Sequence, residues 1–112
     1  MRRLRYSLPL GGLDSGALKL SAIVRTEGET RIAALHLGPG GAVARHPAAV
    51  RQLFLVVEGS GWVSGREEVE EPIAAGEGVF WNAEEEHGAR TEIGLRAIVI
   101  EADSMDVPTR AD

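Results

Sequence analysis

The chain has 112 residues, 44% hydrophobic and 26% charged, with a net charge of −5 and no cysteine. That length suits one domain spanning residues 1–112, and the composition is that of a folded globular chain rather than a disordered one. The acidic balance and the lack of any Lys/Arg run argue against nucleic acid as the main partner, and the missing cysteines exclude disulfides, thiolate nucleophiles and zinc–thiolate sites. No stretch reaches the roughly 18 apolar residues that span a membrane. No apolar run of signal-peptide length follows the basic opening residues 1–5, so the sequence predicts a cytoplasmic protein without a membrane partner.

In chain order the period is that of strands. Gly11-Gly12 signals a turn, and Leu18, Leu20, Ala22 and Val24 then alternate with their neighbours as in a half-buried strand. Ala33, Leu35 and Leu37 continue the pattern less cleanly, with His36 among them as a core or interface histidine. After the turn signal Gly38-Pro39-Gly40-Gly41 comes the run 53–57, apolar on both faces. Such a strand needs cover twice, from a barrel interior on one side and from a second layer or subunit on the other. Further strands are predicted around Trp62-Val63, at 79–81 and at 95–100, separated by turns at 59–61 and 76–78. The residues from about Ser104 read as polar and loose. No segment carries a capped helical stripe, and Glu67-Glu68, Glu70-Glu71 and the run 84–86 read as solvated loops. Short strands with frequent turns point to a sandwich, jelly roll or barrel.

Two stretches stand out by spacing. The first places Gly40, His46, Ala48, Gln52 and Gly59 in order, and the second Gly76, Asn82, Glu84, His87 and Thr91. In this frame, which covers roughly residues 30–101, the chain resembles the cupin family. The three glycines and the isolated histidines, His46 and His87, match the family's two motifs. Ala48 stands where the family usually has a second histidine, and Gln52 where it usually has a glutamate. The resemblance implies an all-β fold, an antiparallel double-sheet jelly-roll barrel, with His46, Gln52, Phe54 and His87 lining a pocket.

The same resemblance implies a metal site at His46, Gln52 and His87, reduced from three histidines and a carboxylate to two histidines and an amide. A neutral amide oxygen cancels no charge, so any divalent metal (zinc, iron, nickel, manganese or copper) is expected to bind weakly or not at all. Glu58 and Glu101 are the carboxylates that could compensate. The acidic run at 84–86 could raise the proton affinity of His87. Residues two apart on a strand share a face, which puts Gln52 and Phe54 on one side. Three functions compete. One is a pocket for an unidentified small molecule, with or without metal; one is a metal-dependent enzyme of oxygenase or isomerase type; one is a structural homo-oligomer with a vestigial pocket. The doubly apolar run at 53–57 predicts a homodimer.

Overall fold

The doubly apolar run at 53–57 lies within the longest strand of the molecule, and the rest of the architecture is arranged around it. The computed structural model describes residues 1–6 and 14–107. Within them lie ten strands: β1 (Arg2–Arg5), β2 (Asp14–Ser15), β3 (Leu18–Lys19), β4 (Arg25–Leu37), β5 (Ala42–Pro47), β6 (Arg51–Ser64), β7 (Glu70–Ala74), β8 (Glu77–Trp81), β9 (Glu86–Arg90) and β10 (Leu95–Asp106). The described strand pairs are all antiparallel. No helix of the described residues is long and apolar enough to cross a membrane.

One layer has the order β1-β8-β6-β10-β4. In the other, β5 pairs with β9, and β9 and β7 pair with β6. β6 therefore belongs to both layers. Residues 51–59 pair with β10, and residues 60–64 with β7. The change of layer falls at Gly59, whose φ is +81°. A Cβ built there would stand 2.2 Å from the Gly94 carbonyl oxygen and 2.9 Å from the Leu95 Cα. Only glycine suits a left-handed backbone pressed against another main chain. Gly40 and Gly76, the other glycines of the sequence frame, also have positive φ.

The sheet is not closed, which corrects the expectation of a barrel. Among the described residues its hydrogen-bonded path ends at β1 and β4, while β5 pairs only with β9 and β7 only with β6. β4 and β5 are consecutive, yet among the described residues no ladder joins them. The chain passes from one layer to the other through residues 38–41, a turn held by the Gly41 N–H donating to the Gly38 carbonyl at 2.9 Å.

The apolar residues of the first layer divide by strand alternation. Phe54, Val56, Val79, Trp81 and Ala97 turn inward and pack with Val63, Ile73 and Ala89 of the other layer. Leu53, Phe80 and Ile100 turn outward into a second cluster with Leu4 and Val107. Tyr6, Val24 and Met105 pack against its margin, and the Tyr6 N–H donates to the Gly76 carbonyl at 2.6 Å. At Leu53 the outer face of 53–57 thus packs against Leu4 and Val107, near the two ends of the described chain, while Val57 at the far end of the run is exposed.

Three local expectations change for related reasons. The strand expected at 18–24 is reduced to the short β2–β3 hairpin; among the described residues, 20–24 have no partner strand, and Val24 packs against the outer cluster. Leu18 and Leu20 are accordingly exposed. Residues 104–106, expected to be loose, continue β10 opposite 25–27, and Val107 is buried. His36 sits on the outward side of β4 opposite Arg96 and is exposed, neither core nor pocket. The turn expected at Gly11-Gly12 lies outside the described residues.

Replacing Gly59 with alanine is expected to cost at least about 3 kcal/mol, from left-handed strain plus displacement of the Gly94–Leu95 backbone. Thermal unfolding should show Tm lowered by roughly 10 °C or more for a chain of this size. A Tm unchanged within error would contradict the role given to this crossing.

Candidate functional site

A cavity of about 210 Å³ opens between the two layers. The first layer contributes Leu35, Gln52, Phe54, Trp81, Val99 and Glu101, and the second Val43, His46, His87, Gly88 and Ala89. Register explains the grouping. Gln52 lies opposite Glu101 on β10 and Trp81 on β8, so all three face inward with it. His46 lies opposite His87 across β5 and β9. Their ring centroids are 4.4 Å apart, and the Trp81 ring is also 4.4 Å from that of His87. The residues expected at the site, His46, Gln52, Phe54 and His87, therefore surround one space.

The turn before His87 sets its orientation. The Glu85 carbonyl accepts from the Ala48 N–H at 3.0 Å and from His87 Nδ1 at 3.1 Å. A carbonyl can only accept, so Nδ1 carries the proton and the neutral ring keeps its lone pair on Nε2. His46 is held likewise, with Nδ1 donating to the Ala44 carbonyl at 2.8 Å. His87 Nε2 is buried and has no hydrogen-bond partner, as is the indole N–H of Trp81. Burial pushes the His87 pKa below the ordinary imidazole value, helped by the charges of His46 and Arg45 and opposed by the Glu85 carbonyl and carboxylate. The expectation that the acidic run raises its proton affinity is therefore reversed, because burial dominates. Glu84 and Glu86 are exposed, while Glu85 turns away to other partners.

Glu85 is itself a correction, since the run 84–86 reads as a solvated loop. Its carboxylate is buried, accepting from the Met1 ammonium at 2.6 Å and the Asn82 N–H at 2.9 Å. Burial alone would raise its pKa, but these hydrogen bonds hold it below the ordinary value. Ala48 does not line the cavity. It is buried against the turn, its carbonyl accepting from the Glu84 N–H at 2.7 Å.

As a metal centre the donor set falls short. The two imidazoles present Nε2, but the Gln52 amide is neutral, and among the described residues no three His, Cys, Asp or Glu side chains are grouped to hold an ion. Of the two candidate carboxylates, Glu101 lines the cavity, whereas Glu58 pairs with Arg96 beyond it and is exposed. The parity of Glu101 with Gln52 emerges only from the β6–β10 register, which spans distant parts of the sequence.

The tautomer and burial of His87 make a spectroscopic prediction. Nitrogen-15 imidazole spectra are expected to show a proton on Nδ1 at neutral pH and a titration midpoint below about 6.5. Because the folded value lies below the unfolded one, His87 contributes stability that is present above the unfolded pKa and lost as pH falls through the folded value. A protonated Nε2, or a midpoint above the ordinary value, would contradict the geometry.

Neither the protein-family models nor the curated proteins contain a match to this sequence. Solved structures do match it. An RmlC-like cupin from Shewanella frigidimarina superposes with a TM-score of 0.62 at 24% identity, over 73% of this chain and 68% of that one. A Klebsiella pneumoniae protein with a double-stranded β-helix domain gives 0.62 at 15% identity, over 88% and 91%. A polyketide cyclase from Streptomyces resistomycificus gives 0.60 at 19% identity, over 74% and 62%. With the motif glycines at the turns and the two histidines facing each other across β5 and β9, these likenesses establish that the chain has the fold of the cupins.

Proposed function

We propose that the chain binds a small, largely apolar molecule between its two layers, with His46, Gln52, Phe54 and His87 in contact with it. The observation that carries this reading is the meeting of both sequence motifs at one cavity beside a buried imidazole nitrogen that has no partner. Ligand sites combine apolar walls with a few convergent polar groups, and this cavity, walled by Leu35, Val43, Phe54 and Val99, has that character. At about 210 Å³ it suits ligands smaller than drug-sized ones. The metal-dependent enzyme is the weaker reading, because Gln52 is neutral and Glu101, though it lines the cavity, is not grouped with the two imidazoles closely enough to hold an ion with them.

A fragment screen by ligand-detected NMR tests the pocket. Small aromatic fragments are expected to perturb the Trp81 indole resonance and to lose binding in Val99→Phe, which narrows the cavity. Fragments that bind but shift only residues remote from the cavity would refute the assignment.

Zinc titration by calorimetry separates the two readings. The native protein is expected to hold no tight full equivalent, His87→Ala to lose what binding remains, and Gln52→Glu to tighten it by supplying negative charge. A tight full equivalent in the native protein would put the metalloenzyme first.

A homodimer is proposed at a different surface from the one expected at 53–57. Among the described residues β4 pairs only with β10, and Ile32 on it is 66% exposed. A long edge strand is a template for a second copy. Antiparallel pairing about a two-fold axis at Thr30 would set each Glu29 opposite the partner's Arg31. Sedimentation is expected to show a dimer in native protein and a monomer in Ile32→Asp; a native monomer at micromolar concentration would count against the proposal.

A further inference from the structure

We propose that this cavity selects ligands carrying an ammonium group on a small apolar body and rejects carboxylates and phosphates. The inference rests on the reading of the cavity as a small-molecule site and names the chemistry it accepts.

The reasoning begins with charge. Among the described residues that line the cavity Glu101 is acidic, and none is lysine or arginine. The adjoining cleft shares Glu101 and adds Glu29 and Asp103 against one base, Arg31. The arginines near this end that do not line the cavity have partners of their own, although the charge of Arg45 reaches His87. Arg45 donates to Ser64 Oγ at 2.8 Å and lies 3.8 Å from Glu68, and Arg51 donates to the Asp103 carbonyl. An anion entering the cavity would thus meet net negative charge with no cation in the wall to offset its desolvation. An ammonium group meets a carboxylate in a partly dehydrated space, where the attraction exceeds that in water.

Hydrogen-bonding capacity points the same way. Both histidines donate Nδ1–H to main-chain carbonyls, which turns Nε2 of each ring away from the main chain, and on buried His87 that nitrogen is an acceptor. His87 is only 2% exposed and its Nε2 has no partner among the described residues, so its acceptor capacity is unused within the chain. The Gln52 carbonyl and the Glu101 carboxylate add further acceptors. The donors in the wall are neutral, namely the Trp81 indole N–H and the Gln52 amide. An ammonium group brings three N–H donors and no acceptor, the complement of such a set. The apolar remainder of the ligand would lie against Phe54 and Trp81, whose rings are 5.7 Å apart between centroids and whose faces attract cations.

Calorimetry with benzylamine, benzyl alcohol and benzoate at neutral pH tests this on the native protein and on Glu101→Gln. Benzylammonium is expected to bind at least about tenfold more tightly than benzoate, the difference one charge-assisted hydrogen bond makes, with benzyl alcohol between them. In Glu101→Gln the ratio of benzylammonium to benzyl alcohol affinity should fall by about tenfold, since only the charged ligand uses the carboxylate charge. Benzyl alcohol binding without any advantage for benzylammonium, or tighter binding of benzoate, overturns the selectivity while leaving the cavity as a ligand site. An unchanged affinity ratio in Glu101→Gln likewise overturns it. No binding by any of the three overturns both readings.

Discussion

The structure depends on one strand serving two sheets. β6 is apolar on both faces in its first half; one face looks between the layers, and on the other Leu53 is buried against Leu4 and Val107 near the chain's ends. Its backbone then crosses at Gly59, where a left-handed residue lies against the Gly94 carbonyl, and continues in the second layer. That crossing holds the layers together at one end. At the other end the cavity opens, with Gln52 near the start of β6 as one of its polar residues. Burial of Leu53, Val56 and Val63, each almost fully sequestered, is the main stabilising contribution along this strand.

The site inherits its chemistry from main-chain geometry as much as from side chains. The Glu85 carbonyl joins the turn at 84–85 to Ala48 and fixes the tautomer of His87 with the same oxygen. The position that carries a second histidine in typical cupins is here used to pack a turn. The consequence is a pair of imidazoles whose Nε2 atoms are left free by the main chain, beside an amide and a carboxylate. This arrangement accepts hydrogen bonds more readily than it gathers a cation of high charge density, which prefers several anionic ligands at short range. A small donor-bearing molecule makes fewer geometric demands.

What could be read from the sequence divides by range. The antiparallel all-β character was legible in the alternation and turns, and the spacing of Gly40, Gly59 and Gly76 marked places where the backbone adopts positive φ. The meeting of His46 and His87 followed from a resemblance, since nothing local announces that 46 and 87 face each other. Closure of the sheet was wrongly expected because strand periodicity does not say whether the first and last strands bond. The packing of Leu53 on the outer face was not legible because the segments it meets, around Leu4, Val24 and Val107, lie far away in the chain. Glu85 escaped notice because two solvated glutamates flank it and its partners are the Met1 ammonium and the Asn82 amide. Glu101 needed the β6–β10 register before its side could be known.

The central claim is that the two layers bring both motifs to one cavity, with the His87 ring lodged against His46 and Trp81. Proton–proton Overhauser contacts between the ring hydrogens of these three residues measure it directly. The account predicts clear cross-peaks from His87 to both neighbours, whose ring centroids are each 4.4 Å away. Cross-peaks from His87 to Trp81 with none to His46 would place β5 outside the site and contradict the convergence on which the functional reading stands.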